Sequence, residues 1–422
     1  MAEVAIVGGG AAGFFCALQI AETAHHSGVP CPQITILEAG RQPLVKVKIS
    51  GGGRCNVTHA CFDPILLAQN YPRGHLELKS PFRRFQPQDM IQWLRDHKVQ
   101  LKTEPDGRMF PITDNSQTII DCFLRTAETY PIHLLTQSTC IGITKNDDRF
   151  QLNLKSGKTM LADFVVLATG SHPLGYQLAR SLGHTIIPPV PSLFTFQIDD
   201  PQVHELMGLS VEKVQVKLKL TKPIKQQKKL SQVGGLLFTH WGFSGPAILK
   251  LSAWSAPVLH QCQYKHPLEI NWLPDYHQAQ IYDLLLNAKN THPKKYIHNY
   301  CPFHLPQRLW HYLLAQILDR DNLPWQAVSH KLLHKLAETI SCSTYQISGK
   351  GIFKDEFVTC GGVDLLQVNL QTMESKICPR LYFTGEILNI DGVTGGFNFQ
   401  SAWTTAYLAA LAIGKTTVKT VP

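Results

Sequence analysis

The first forty residues limit most strongly what this chain can become. Residues 4–7 (Val-Ala-Ile-Val) are a short apolar run, the pattern of a buried parallel strand, and they lead directly into Gly8-Gly9-Gly10-Ala11-Ala12-Gly13. A helical stretch is expected from Ala11 to about Ala24. In a strand–turn–helix of this kind the glycines have separate tasks. Gly8 permits the tight turn, Gly10 lets a pyrophosphate approach the backbone, and Gly13 lets helix and strand pack closely. The helix start offers unpaired N–H groups and a partial positive charge to phosphate. Residues 33–37 read as a second strand, and Glu38 follows it 25 positions after Gly13, where a carboxylate accepts hydrogen bonds from an adenosine ribose. A lone GxGxxG also marks ordinary tight turns. Strand, glycines, helix, second strand and terminal acid in this order point to a dinucleotide, with Gly8, Gly10, Ala12, Gly13 and Glu38 as its candidate contacts. The intervening residues 25–32 read as a surface loop with two solvated histidines.

A chain of 422 residues exceeds one ordinary core, so two or three domains are expected. No apolar run reaches the roughly 20 residues of a membrane span, and the N-terminus, used as a strand, lacks a basic leader. The expectation is a cytoplasmic protein whose eleven cysteines are reduced thiols. No CxxC pair and no HExxH spacing occur, which argues against a structural zinc site or other metal centre. The net charge of +9 is partly carried by Lys217, Lys219, Lys222, Lys225, Lys228 and Lys229. Alternation with Val214, Val216, Leu218 and Leu220 explains the first of these as the wet face of a half-buried strand; a basic surface for nucleic acid is the lesser alternative.

Further along, Ser50-Gly51-Gly52-Gly53-Arg54-Cys55-Asn56 reads as a loop that wraps a flat ligand or phosphate. Lys48 and Arg54 supply charge there, Asn56 hydrogen bonds, and Gly52 and Gly53 close approach; Cys55 is a small filler. Helices are expected from Pro87 and over residues 116–130, and strands at 133–135, 138–143, 150–154 and 158–161. The apolar strand 163–167 ends in Ala168-Thr169-Gly170, so Gly170 returns beside the cofactor. Pro188-Pro189-Val190-Pro191 marks a boundary. Alternating strands dominate residues 193–270, with Gly234 to Pro246, including His240, expected as a shaped glycine-aromatic loop; residues 276–336 turn helical, and strands return from 344. The run 381–384 ends in Gly385-Glu386. Asp391-Gly392-Val393-Thr394-Gly395-Gly396-Phe397-Asn398 then opens a helix expected over 399–412. Its glycine pair makes a second anion-friendly helix start. One long ligand spanning both, a dinucleotide with an extended ring system, uses each end, and the second helix dipole favours the anionic reduced flavin.

Residues 8–13, 50–58, 238–246, 372–376 and 391–400 resemble the signature stretches of the BaiN-like, aminoacetone-oxidase-type FAD-dependent oxidoreductases, over nearly the whole chain. The resemblance implies an α/β protein with α+β inserts: an FAD-binding Rossmann-like domain of the two-dinucleotide-binding type, an inserted β-rich domain and a small helical domain. The boundaries expected are 1–190 and 356–422 for the FAD domain, 191–275 and 337–355 for the β-rich domain, and 276–336 for the helical one. It further implies non-covalent FAD, a backbone contact from Ile141 to adenine, and Gly385, Glu386, Gly395, Gly396, Phe397 and Asn398 beside the ribityl chain and flavin, with Asp391 in the same stretch. Two departures stand out: only Ser171-His172-Pro173-Leu174-Gly175-Tyr176 follows Ala-Thr-Gly, where the family carries a longer glycine-rich segment, and Asn389 replaces one of a usual acidic pair. The first bears on any substrate or nicotinamide site at that edge.

The expected function is an FAD-dependent oxidoreductase that takes hydride from NADH or NADPH as a transient donor and passes it to a small organic substrate or to oxygen, or else oxidises its substrate at the flavin. Two alternatives remain: a flavoprotein acting on RNA, and a flavin sensor without turnover. No second GxGxxG provides a nicotinamide domain, and spacing singles out no catalytic acid or base.

Overall fold

The computed structural model describes residues 2–219, 230–318, 323–351 and 358–419. The chain divides into two compact units, Met1–Pro191 with Val358–Pro422, and Ser192–Phe357. Lys222, Lys225, Lys228 and Lys229 lie outside the described residues.

The first unit is built on a seven-stranded sheet. Its strands are β1 (Glu3–Val7), β2 (Gln33–Leu37), β3 (Ile132–Leu135), β4 (Phe164–Leu167), β5 (Val368–Asn369), β6 (Glu374–Ser375) and β7 (Leu381–Phe383), in the order β5-β6-β7-β4-β1-β2-β3. The pairs from β7 across to β3 are parallel, and the β5-β6 edge is antiparallel. Val4, Ala5 and Ile6 are fully buried, as a strand covered on both faces requires. Two helices matter for the site, α1 (Ala11–His26) and α2 (Phe397–Lys419). They pack closely: Phe15 meets Trp403 edge-on at 5.5 Å, and a Cβ on Gly414 would stand 3.0 Å from Thr23. Phe15, Trp93 and Phe123 continue this aromatic core. The far end of α1 is tied by Glu22, which is 7% exposed. It accepts from Gln19 Nε2 at 2.7 Å and Trp93 Nε1 at 2.8 Å, and it pairs with His97 Nε2 at 2.9 Å.

The second unit contains a closed six-stranded barrel in the order Phe196–Ile198, Gly242–Ser244, Ser231–Thr239, Ser210–Leu218, His266–Asn271, Ser343–Lys350. Val214, Val216, Leu236, Phe238, Phe243, Leu268 and Ile270 fill it. Helices Gln278–Thr291, Gln307–Ala315 and His330–Ser341 pack into the same core through Leu285, Trp310, Leu313 and Leu336.

Several local expectations need correction. Helix α1 continues through His25 and His26 before its cap at Ser27, so the loop is shorter than expected. The stretch 234–246 is a hairpin, not a shaped loop. Leu236, Phe238 and Phe243 alternate inward, and His240 is exposed at its tip. Gly234 and Gly245 lie where a Cβ would crowd Ala247 N at 3.3 Å and Gly235 O at 2.8 Å, which lets helix Pro246–Gln261 lie against the strand. That helix is absent from the sequence reading because it is apolar nearly all round and shows no stripe. Lys48 belongs to a helical turn, Val45–Gly53, rather than to a loop. Within it Ser50, Gly51, Gly52 and Gly53 leave right-handed helical geometry, the three glycines at positive φ.

Candidate functional site

All the sequence-predicted cofactor residues fall in the first unit, and most gather at the carboxyl end of its parallel strands. That edge is where open α/β sheets bind ligands. At the first turn, Gly8 has φ +112°, and a Cβ there would meet Ala168 O at 2.5 Å. A Cβ on Gly13 would meet Gly8 O at 2.0 Å. Both glycines are demanded by packing. Gly10 is different: a Cβ on it would touch nothing within 4 Å. Gly10 is also the N-cap of α1, with no side-chain cap and no acid in the first turn, so the first N–H groups are left for an outside acceptor. Glu38 closes the turn, accepting from Gly9 N at 2.8 Å and Gly40 N at 2.6 Å, and each oxygen keeps a lone pair for a hydroxyl. Residues 137 and 138 donate to the carbonyls of Gly40 and Glu38, and Ile141, exposed, lies three residues further on in strand Cys140–Asn146.

The second helix start is held by residues distant in sequence. Gly396, at φ +91°, lies where a Cβ would strike Thr58 O at 2.5 Å. With its amide oriented for best pairing, Asn56 accepts from Gly396 N at 2.9 Å and donates to Thr58 O at 3.0 Å. Gly395 borders Phe397 and His59, whose rings stack at 4.7 Å. Tyr71 donates to the carbonyl of Phe397 at 2.6 Å. Asn398 spends both side-chain atoms on the backbone of Gly392. The fully buried Asp391 is gripped by both ends of the Arg73 guanidinium. Phe397, Asn398 and Asp391 therefore shape this turn through their side chains, and a ligand there meets backbone.

Between the two starts, Gly385 at φ +72° presses on Ala12, a Cβ there standing 2.7 Å from the alanine methyl. Glu386 accepts from Thr359 N at 3.0 Å and pairs with Lys46 at 2.8 Å. Gly170, at φ +59°, faces this pair, with room for a Cβ at 3.6 Å from Glu386. Lys46 was missed in the sequence and Lys48 chosen. Lys46 and Lys48 flank the buried Val47, and of the two it is Lys46 that pairs with Glu386 among the described residues. Arg54 lies 4.0 Å over the Phe110 ring and donates to Glu104 at 2.6 Å, so its charge is already matched. Gly52 and Gly53 have open space where a Cβ would be. Cys55 is fully buried at φ +60°, and burial pushes its thiol up to about 12, so it is no thiolate nucleophile.

Tyr176 was also missed. It is 3% exposed, and its hydroxyl has no hydrogen-bond partner among the described residues. Burial first, then the charge of Glu386, pushes its ionisation upward, so it stays protonated. Thr384 Oγ1, at the end of β7, is another buried oxygen without a partner. These features fit FAD: open cradles at Gly10, Gly52 and Gly53, an uncapped start to α1, free lone pairs on the Glu38 carboxylate, and the orphaned hydroxyls of Tyr176 and Thr384. Among the described residues, no group of three or more His, Cys, Asp or Glu side chains is placed to hold a metal, and no helix is long and apolar enough to cross a membrane.

Fold and site together define an FAD-binding oxidoreductase with a Rossmann-type core. Residues 2–412 match the family described as HI0933-like protein Rossmann domain, and the chain belongs to that family. It is 30% identical to the ribosomal RNA dihydrouridine synthase of Escherichia coli, over 97% of each chain. It is 26% identical to the 3-dehydro-bile acid delta(4,6)-reductase of Clostridium scindens, over 98% of this chain and 99% of that one. The 3-ketosteroid-delta4-(5alpha)-dehydrogenase of Rhodococcus jostii shares the fold at a TM-score of 0.50 and 12% identity, covering 98% of this chain and 97% of its own.

Proposed function

We propose that this protein is an FAD-dependent reductase that saturates a carbon–carbon double bond conjugated to a carbonyl, and that its substrate is a uracil base in ribosomal RNA. The observation that carries this reading is the likeness to the Escherichia coli ribosomal RNA enzyme along the full length of both chains. Chemistry supports it too. In uracil, C6 is the β-carbon of the C4 carbonyl, so hydride addition at C6 and protonation at C5 give dihydrouracil. Bound FAD, once reduced, supplies the hydride. NADH or NADPH is the proposed source of electrons.

The chain's own residues then have defined tasks. The 8–13 turn and the start of α1 bind pyrophosphate, and Glu38 takes the ribose. The start of α2 would turn its positive dipole end toward the ring, while Asn56 holds the Gly396 N–H and fixes the turn. Lys46 and Glu386 fix each other at the mouth of this cradle. Tyr176 Oη holds a proton there, kept on the oxygen by burial and by Glu386.

A second reading, a small steroid-like enone as substrate, is favoured by the Clostridium scindens relative. One experiment separates the two. The purified protein is reduced anaerobically with NADH or NADPH and mixed with protein-free ribosomal RNA or with a steroid enone. The RNA reading expects reoxidation of the flavin by RNA and a uridine gaining two hydrogens by mass spectrometry. Reoxidation by the enone alone transfers the proposal to small substrates. An absence of flavin absorbance after added FAD sinks both.

A further inference from the structure

We infer that the helical part of the second unit, residues 276–336, is the RNA-docking element of this protein; this rests on the RNA reading above. The sequence directs attention to the lysines after residue 213. Their described members sit beside acids: Lys213 lies 2.6 Å from Asp275, and Lys217 and Lys219 share the one carboxylate of Glu269 at 3.8 and 3.5 Å. The helical part is different. Over residues 276–336 the sequence holds seven lysines and arginines against three carboxylates, Asp283, Asp319 and Asp321. An ordinary wet face interleaves both signs. Here the basic side chains outnumber the acids by more than two to one, and the excess invites a polyanion.

Geometry supports the same partner. Lys294, Lys295 and Tyr296 are exposed in sequence, and none forms an ion pair among the described residues. Their backbone is pinned. The carbonyl of Lys295 accepts from Trp325 N and the amide of Ile297 donates to Leu323 O, both at 2.9 Å, while Ile297 itself is buried. Tyr296 is 42% exposed on this fixed strip. On helix His330–Ser341, Lys331 and Lys335 stand one turn apart, with His334 stacked on Tyr282 at 4.1 Å. Fixed cations that follow phosphates, beside an exposed ring on which a base stacks, are the means by which proteins hold single-stranded or looped RNA.

The test uses the full-length flavoprotein and a fluorescein-labelled RNA hairpin with a uridine-rich loop, titrated at several salt concentrations. Lys294→Glu with Lys295→Glu, and separately Lys331→Glu with Lys335→Glu, should each weaken binding about tenfold or more and make the log–log salt dependence shallower by about one to two contacts. Flavin absorbance and melting temperature should not move. Lys294→Gln with Lys295→Gln, which removes charge without reversing it, should weaken binding about threefold and guards against a folding defect. Wild-type affinity in all the variants, with a steep salt dependence in the parent, overturns the docking surface and leaves the RNA reading standing. A parent that binds no hairpin removes the RNA reading and this surface together. Loss confined to phosphatidylglycerol vesicles, with hairpin binding unchanged, also overturns the surface.

Discussion

Helix α1 begins at a turn made mostly by its own neighbours in sequence. Helix α2 begins at a turn made by residues more than 300 positions away, namely Thr58, Tyr71 and Arg73. Both starts are lined with glycine and both face the ligand edge. The first is a local device that any strand–helix junction can carry. The second exists only when the N-terminal and C-terminal parts of the unit have met. Damage to the first should therefore divide cleanly into folding and ligand effects, whereas damage to the second should spread through the unit.

The largest effect is expected from Arg73→Met. It strands the carboxylate of Asp391 in a fully buried position, at a cost of about 3–5 kcal/mol. Chemical denaturation should show the loss, and FAD should leave together with the fold. Next comes a contrast inside the first turn. Gly13→Ala drives a methyl group into Gly8 O and should cost about 1–3 kcal/mol. Gly10→Ala meets open space and should leave apoprotein stability within about 0.5 kcal/mol while weakening FAD binding. Equal melting losses in the two variants would break the distinction between a packing glycine and a ligand glycine.

The smallest effect concerns the far end of α1. His97 has its pKa raised, chiefly by its hydrogen bond to Glu22. A raised folded pKa means the stabilisation is complete below the ordinary histidine value, about 6.5, and is lost as pH rises through the folded value. Stability measured across that window should fall in the parent by about 1 kcal/mol and stay flatter in His97→Gln. A parent with no slope there would show that Glu22 is satisfied by Trp93 and Gln19 alone.

The contrast between the helix starts also explains what could be read from the sequence. β1, the first turn, α1 and β2 were legible because their signals are local: buried alternatives to either side, glycines at fixed spacing, an acid at the strand end. The FAD-type Rossmann core and the flavoprotein oxidoreductase class follow from them together with the resemblance. The second helix start was legible in its glycine pair, but its partners were not, because nothing near Gly396 in sequence announces Thr58 or Asn56 as its neighbours. Helix Pro246–Gln261 was hidden by its even apolarity. Lys46 and Tyr176 were hidden because their importance comes from facing Glu386, which lies over 200 positions from either. The hairpin at 231–244 was obscured by glycines that serve helix packing rather than a loop.

The strand order β5-β6-β7-β4-β1-β2-β3 has a consequence for synthesis on the ribosome. The second unit is one continuous stretch, Ser192–Phe357, and it can close its barrel as soon as that stretch has emerged. The first unit cannot. When residue 357 is made, β4 still lacks β7 on its open side, and Asn56 still lacks the amide of Gly396. A nascent chain thus carries an exposed parallel strand edge until β7 has emerged, and the cofactor cradle is finished only when Gly396 follows it.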